Sequence, residues 1–413
     1  MRKNIFCALC MMYCTLSSAQ PKQWTLRECC DYAVEHNISI KQQENQRRQQ
    51  ELQLSTAKNS RLPDLSGSVG QNLSFGRGLT SDNTYANTNT TNTSMGINTS
   101  MPLFTGFRIP NEIKMNQLNL DAYTADLEKA KNDIRMQVAR LQAFVENGKA
   151  SEAELSQQKA TLANSHLTAT QADNNTRLAL LTLTQLLELP TPDGFAIVRP
   201  NPDELSTDMA LMTTPDQVYA EALGVKPEIA AQQLRLKAYE HNIKVAQAGH
   251  YPTLTFGAGL STNYYTDSGR SNDSFGKQLE DRFSQSISLN LNVPIFNRFQ
   301  TRNNVRNARI QYETQQLQVD NTKKTLYKEI QQVYYNALNA QTKEKSSMEA
   351  LQSSKDAFTL MQAKYENGKA TITEFNEAKN AYLKAESDLV QARYENLYQH
   401  ALLEFYRGQE LTF

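Results

Sequence analysis

Residues that usually carry catalysis or bind metals are scarce in this sequence. Its 413 residues include five cysteines and five histidines. The histidines are scattered, with no pair at the spacing of a metal site: His36, His166, His241, His250 and His400. There is no Gly-x-Ser-x-Gly nucleophile turn, and Gly257-Ala-Gly259 lacks the third glycine and the following helix of a nucleotide-binding loop. The sequence therefore predicts neither an enzyme nor a protein that holds a cofactor or a metal ion.

The sequence also lacks a charge imbalance and a long apolar run. Lys and Arg together number 43, as do Asp and Glu, so the basic excess of a nucleic-acid-binding protein is absent. No stretch after the N-terminus approaches the ~20 uninterrupted apolar residues that a membrane-spanning helix needs. If the chain crosses a membrane, we therefore expect it to do so as a β-barrel.

Glycine and proline are scarce as well, which favours long helices. Residues 302–367 contain neither of them, and the same holds for residues 369–407. At 1.5 Å per residue, the first run makes a helix of roughly 100 Å. Asn367-Gly368 is the expected break between the two helices, which we predict to be antiparallel. A compact domain does not need rods of this length, whereas a duct that crosses a compartment does.

The N-terminus has the features of a secretory signal peptide, predicted to cover residues 1–19. A basic start precedes an apolar core and the small residues Ser17-Ser18-Ala19. Three cysteines lie within this segment, and none follows a lipid-attachment signal. The other two, Cys29 and Cys30, are adjacent, so a disulfide between them would be strained and they are too few for a zinc site. We expect them to be packing residues.

The chain repeats itself, and the repeat sets its predicted organisation. Three motifs occur twice in the same order: Arg61-Leu-Pro-Asp-Leu and His250-Tyr-Pro-Thr-Leu, Met101-Pro-Leu-Phe and Val293-Pro-Ile-Phe, and Glu146-Asn-Gly-Lys-Ala and Glu366-Asn-Gly-Lys-Ala. We interpret residues 20–190 and 216–413 as two copies of one unit, with the order helix, strand, loop, strand, long helix, turn and long helix. Between them, residues 191–215 form a Pro-rich equatorial linker, and Thr214-Pro215 is expected to start a helix.

Four strands are predicted, at about residues 64–75, 94–104, 252–265 and 284–296. In each of them apolar residues alternate with small uncharged polar residues, which places one kind on each face of a sheet. Each run has about the ten residues that cross a bilayer at a tilt, and the polar face suits the wet lining of a membrane barrel. The connecting segments between paired strands are polar, as surface loops are.

Four strands are too few to close a barrel, since about eight is the smallest number that closes around a filled interior. Several chains must therefore contribute strands to one barrel, and the protein is expected to be an obligate oligomer. For the strands alone, a sheet packed on helices in a soluble protein is the alternative. That alternative does not account for the long helices that flank each strand pair.

Three segments resemble the outer-membrane efflux proteins, the TolC family. The opening Trp24-Thr-Leu-Arg-Glu-Cys-Cys-Asp-Tyr-Ala-Val-Glu-His-Asn37 resembles the family's first helix, and Pro227-Glu-Ile-Ala-Ala-Gln-Gln resembles its counterpart in the second half. Lys364-Tyr-Glu-Asn-Gly-Lys-Ala-Thr-Ile-Thr-Glu-Phe375 resembles the turn between the family's long periplasmic helices. The resemblance covers about residues 24 to 410.

The resemblance implies a mainly α fold with β-strands, in which long antiparallel helical hairpins form a periplasmic α-barrel. Four strands per chain would complete a twelve-stranded transmembrane β-barrel in a homotrimer. Family members contact outer-membrane lipid and work with a periplasmic adaptor (membrane fusion) protein and an inner-membrane pump. The turns that would meet an adaptor are Asn147, Gly148, Lys149, Asn367, Gly368 and Lys369.

One departure from the family pattern is the length of the first hairpin. Gly368 lies 74 residues after Pro294, whereas Gly148 lies only 46 residues after Pro102, a difference of 28. Four heptads have this length, which corresponds to about 42 Å of helix. We hypothesise that the first hairpin has a shortened descending arm and leaves an incomplete tip.

The predicted function is that of an outer-membrane channel that extends into the periplasm. It would be the passive exit duct of a tripartite efflux system or of a type I secretion system, with no nucleic-acid partner. One alternative is a periplasmic coiled-coil adaptor or structural rod, which explains the helices but not the strands and their loops. Another is a family paralogue whose transport is impaired by the truncated first hairpin.

Overall fold

The computed structural model describes residues 23–79, 84–144, 157–189, 195–197, 213–268 and 271–411. The predicted signal peptide, the first hairpin turn at Asn147, Gly148 and Lys149, and most of the predicted linker lie outside these ranges. The described part is mainly helical and contains a four-stranded antiparallel sheet. The expected mainly α fold with β-strands is confirmed at this level.

Helices occupy most of the described ranges: α1 (Leu26–His36), α2 (Ile38–Asn59), α3 (Arg108–Phe144), α4 (Gln157–Leu186), α5 (Pro215–Val225), α6 (Pro227–Gln247), α7 (Phe275–Asp281), α8 (Gln300–Glu366) and α9 (Ile372–Tyr406). With 67 residues, α8 is as long as its lack of glycine and proline predicts. None of the described helices combines the length and the apolar character that crossing a membrane requires.

Short sequence signals set where several helices begin. At the start of α1, the Thr25 side chain accepts the Glu28 N–H (3.2 Å), and the Glu28 carboxylate accepts the Thr25 N–H (2.9 Å). Thr371 and Glu374 form the same reciprocal capping box at the start of α9. Helix α5 begins at Pro215, as predicted, because the first helical position needs no N–H partner.

The strands form one main sheet and two small pairs: β1 (Gln23–Trp24), β2 (Asp64–Ser74), β3 (Arg77–Leu79), β4 (Tyr85–Asn87), β5 (Thr90–Thr105), β6 (Ala196–Ile197), β7 (Thr253–Asp267) and β8 (Ser284–Asn292). The main sheet has the order β2-β5-β7-β8, with antiparallel neighbours throughout. Strands β1 and β6 pair in parallel, so part of the predicted linker joins the first described residues.

Two strands of the main sheet differ from the expected bounds. Strand β5 begins at Thr90, four residues earlier than predicted, because its ladder with β7 continues to that residue. It also continues past Pro102 through a register shift before Phe104, a bulge that accommodates a residue without an N–H. Strand β8 ends at Asn292, four residues earlier than predicted. It is an edge strand, and Pro294 cannot donate to an extended ladder.

The chain divides into two compact units. Unit 1 comprises Met1–Gln46, Thr124–Ala231 and Asp320–Phe413, and unit 2 comprises Arg47–Tyr123 and Gln232–Val319. Unit 1 contains two apolar clusters, and unit 2 contains the main sheet.

The two apolar clusters of unit 1 draw on different helices. Helices α1 to α4, with Leu187 directly after α4, contribute the first cluster: Cys29, Cys30, Ala33, Ile40, Leu127, Ile134, Val138, Leu183 and Leu187. Helices α5, α6, α8 and α9 contribute the second: Val218, Ala222, Ile229, Leu326, Ile330, Val333, Leu403 and Tyr406. In each cluster, residues of two long helices therefore pack with a short helix.

The adjacent cysteines are packing residues, as predicted. Cys29 is fully buried and Cys30 nearly so, and both are free thiols. Burial raises the pKa of the Cys30 thiol to about 11, so this thiol is uncharged at neutral pH. An uncharged thiol behaves as a small apolar side chain in a core.

A close approach in unit 2 requires glycine at position 106. Gly106 has a φ of +62°, and a Cβ there would lie 2.7 Å from both the Ala248 carbonyl oxygen and the Tyr251 Cβ. Only glycine adopts this conformation without strain and leaves the space open. The end of β5 thereby packs against the segment that leads into β7.

Candidate functional site

The main sheet has one apolar face. Residues paired across neighbouring strands share a face, so the register identifies its members: Leu65, Val69, Leu73, Met95, Ile97, Met101, Leu254, Phe256, Leu260, Ile287, Leu289 and Leu291. The most exposed of them lie on the edge strands, where Val69 is 75% and Ile287 79% exposed. Nothing in the described part of the chain covers this face at those strands.

The opposite face is polar and almost uncharged. Small side chains dominate it: Ser66, Ser68, Gly70, Asn72, Ser94, Gly96, Asn98, Ser100, Thr255, Gly257, Gly259, Ser261, Ser284, Ser286, Ser288 and Asn290. Within these four strands, its charged residues are Asp64 at the start of β2 and Asp267 at the end of β7. This face suits water, whereas the apolar face suits lipid.

Aromatic side chains gather at both ends of the sheet. Where the strands join the helices, Phe107 meets Phe104 and Tyr251 edge to face, with ring centroids 5.4 and 6.2 Å apart. At the other end, Tyr264 meets Phe275 of α7 at 5.1 Å. Aromatic residues concentrate at the two interfaces of a bilayer, with the apolar band between them.

The connections between strands contain more structure than the expected polar loops. Strands β3 and β4 form a small hairpin, and α7 packs on β7. The buried Gln278 accepts the Tyr265 N–H (2.9 Å) and donates to the Asp273 carbonyl (2.8 Å). The Thr262 hydroxyl donates to the Leu279 carbonyl at 2.8 Å. These bonds hold the second connection against the end of the sheet.

Strands β2 and β8 are the two edges of the main sheet. Strand β2 pairs only with β5, and β8 pairs only with β7, within the described ranges. An edge strand offers a row of backbone donors and acceptors to any further strand. Each edge of the sheet can therefore pair with a further strand.

The predicted break at Asn367-Gly368 is a well-formed helix end. Gly368 has a φ of +68°, and its N–H donates to the Tyr365 carbonyl (2.9 Å). The Lys369 N–H donates to the Lys364 carbonyl (2.8 Å), which completes a Schellman motif. The structure thus brings Asn367, Gly368 and Lys369 together in one turn, while their role in docking stays a prediction.

Aromatic rings join α8 and α9 near this turn. Phe358 of α8 lies 5.6 Å from Phe375 and 5.7 Å from Tyr382 of α9, measured between ring centroids. Tyr365 stacks on Phe375 at 5.0 Å. Since residues closer to the turn on α8 meet residues closer to it on α9, the two helices form the predicted antiparallel hairpin.

The apolar clusters of unit 1 lie at different distances in sequence from the two predicted turns. In the second hairpin, Ile330 lies 38 residues before Gly368, and Leu403 of the same cluster lies 35 residues after it. In the first hairpin, Val138 lies only 10 residues before position 148, but Leu183 of its cluster lies 35 residues after that position. Position 148 lies outside the described residues, so the shortened descending arm of the first hairpin stays a prediction.

A buried polar group in unit 1 was missed by sequence reasoning. Lys226 is 6% exposed, and its Nζ donates to the Phe405 carbonyl at 3.4 Å. The ammonium also lies 4.1 and 4.4 Å from the ring centroids of Phe405 and Tyr406. Burial lowers the Lys226 pKa to about 8. Three carboxylates oppose that shift: Glu228, Asp133 and Glu329. No pattern in the local sequence predicts the contact between Lys226 and Phe405, which lie 179 positions apart.

The arrangement offers surfaces rather than reacting groups. Within the described ranges, no group of three or more His, Cys, Asp or Glu side chains stands where it could hold a metal ion. The features that stand out are the two-faced sheet with its open edges and the long hairpin with its ordered turn.

The second half of the chain matches a protein-family model, and one relative extends the match toward the N-terminus. Residues 218–409 match the model described as outer membrane efflux protein. The chain is 23% identical over 369 residues to the outer membrane efflux protein BepC of Brucella suis, which covers 84% of this chain and 77% of that protein.

Solved structures share the fold over nearly the whole chain. The CusC channel gives a TM-score of 0.75 at 17% sequence identity and covers 93% of this chain and 92% of its own. The outer membrane protein VceC of Vibrio cholerae gives a TM-score of 0.73 at 17% identity and covers 94% of this chain and 97% of its own. By its sequence matches the chain resembles the outer membrane efflux proteins, and its fold is that of CusC and VceC.

Proposed function

We propose that this chain is the subunit of an outer-membrane exit duct, a passive conduit through which an efflux system expels its substrates. The two-faced sheet carries this proposal. Its apolar face would contact lipid, its face of Ser, Asn, Thr and Gly would line a water-filled passage, and aromatic rings bound it at both ends. The family that the chain resembles is one of passive channels, in agreement with the absence of convergent chemistry in the sequence.

The duct would be a homotrimer with a twelve-stranded barrel. One chain supplies four strands with open edges at β2 and β8. If β2 of one subunit pairs with β8 of the next, three copies close the barrel and leave no edge. The apolar residues of β2 and β8, which are exposed in the single chain, would then form one continuous lipid-facing band.

The helices would continue the passage through the periplasm as a tube built from two related halves. An internal two-fold repeat is supported by the two apolar clusters of unit 1. Equal spacings relate three positions of the first cluster to three of the second: Cys29, Ala33 and Ile40 to Val218, Ala222 and Ile229. A periplasmic adaptor would meet the tube at the turn of Asn367, Gly368 and Lys369, and an inner-membrane pump would complete the system.

The short first hairpin would leave the periplasmic tip incomplete. Leu183 and Leu403, at the ends of the two return arms, both lie 35 residues after the predicted turns, which supports this proposal. The first return arm would then extend beyond the point where its descending partner stops. Since helical tubes close by packing neighbouring hairpins along their length, we infer a tip that rests mainly on the second hairpin of each subunit.

Native mass spectrometry of the full chain extracted from the outer-membrane fraction tests the proposal. We expect a mass of three chains, and membrane association that resists high salt, because apolar contact and strand pairing hold the assembly. A periplasmic adaptor or rod would instead appear in the soluble periplasmic fraction with no defined trimer. That outcome would overturn the duct.

A further inference from the structure

We propose that Asp64 makes the strand-lined part of the passage select cations over anions. This inference rests on the proposed function, because it needs the polar face of the sheet to line a channel. On that face, the described strands carry two charged residues, and both are acids. No Lys or Arg of these four strands shares it.

Asp64 is the better placed of the two acids. It is exposed, and the register sets it opposite Ser100 on the polar face. Its Oδ1 accepts the Ser100 N–H (2.6 Å) and the Ser100 hydroxyl (2.9 Å), so the carboxylate is held in place on the strand. Asp267 has one buried carboxylate oxygen and lies at the opposite end of the sheet, so it presents less charge to the passage.

Arg61, the cation closest to Asp64 in sequence, lies outside the four strands. Arg61 borders a cavity of about 480 Å³ together with Met101, Leu103 and Phe107, and Met101 belongs to the apolar face. In a trimer, Asp64 would recur three times at one level and form a ring of carboxylates. Rings of acidic side chains raise the local concentration of cations and repel anions.

The reversal potential of the reconstituted full chain under a KCl gradient measures this selectivity. We expect the wild-type channel to prefer K⁺, and Asp64→Asn to lower the K⁺ to Cl⁻ permeability ratio by at least about twofold. The amide oxygen of Asn can still accept the Ser100 N–H, so this variant keeps the local bond. Ser66→Asp adds an acid two residues further along the same face and should raise the ratio.

A matched control removes the same charge elsewhere. Asp273 lies in the connection before α7, where it pairs with Lys277 at 3.0 Å. The Asp273→Asn variant should leave the reversal potential unchanged. If neither Asp64→Asn nor Ser66→Asp changed the reversal potential, this inference would be overturned and the proposed duct would stand. A wild-type protein that forms no channel would overturn both.

Discussion

At the scale of single residues, Lys226 joins the end of α9 to the junction of α5 and α6. Its ammonium is enclosed by the Phe405 carbonyl and by two aromatic rings, a contact that is favourable for a cation when water is excluded. The nearby carboxylates compensate part of the cost of burying the charge. Because its partners come from distant parts of the chain, this residue holds the junction of α5 and α6 against the last helix.

The depressed pKa of Lys226 predicts a stability that depends on pH. The folded chain releases the ammonium proton near pH 8, whereas the unfolded chain keeps it up to about 10.5. Between pH 8 and 9 the unfolded state therefore binds more protons, and the free energy of unfolding rises with pH, by at most about 1.4 kcal/mol per pH unit. Above pH 9 the raised pKa of Cys30 acts in the opposite direction.

Urea unfolding followed by circular dichroism at several pH values checks this expectation. The Lys226→Met variant should lose the rise between pH 8 and 9. Lys343→Met is the matched control, because Lys343 pairs with Glu395 on the exposed surface, where ion pairs contribute little. An equal slope in the wild type and in Lys226→Met would show that another group causes the rise.

At the scale of elements, adjacent residues of β8 test which face meets lipid. Leu289 lies on the apolar face and Asn290 on the polar face of the same strand. Leu289→Arg would place a charge in lipid at a cost of about 2–4 kcal/mol near the middle of the bilayer, while Asn290→Arg would point into water.

The amount of trimer in the outer-membrane fraction measures the difference. We expect a strong loss for Leu289→Arg and near-normal assembly for Asn290→Arg, which serves as its control. If both variants assembled equally well, the apolar face would not contact lipid.

The elements that follow from local sequence were predictable, and those that depend on partners were not. Period-two alternation located all four strands, and Thr371 with Gly368 marks the turn of the second hairpin. The extension of β5 past Pro102 needed its ladder with β7, and the docking of α7 depends on the single side chain of Gln278. Neither a neighbouring strand nor a tertiary hydrogen bond is visible in local composition.

At the scale of the whole molecule, the unequal hairpin arms decide how the proposed duct would behave. Ducts that close at the periplasmic tip need hairpins of matching length around the ring. Here the predicted turn of the first hairpin follows its proline motif 28 residues sooner than that of the second, while Leu183 and Leu403 both lie 35 residues after the predicted turns. The resemblance predicted the fold, whereas the predicted arm lengths distinguish this chain from the family pattern.

The most direct test of the duct is the single-channel conductance of the detergent-purified protein in a planar bilayer. We expect discrete steps of large and steadily open conductance, because the proposed barrel would form while the tip would lack part of its packing. A small, mostly closed conductance would contradict the incomplete tip but not the duct. The absence of any conductance steps from intact trimers would contradict the duct itself.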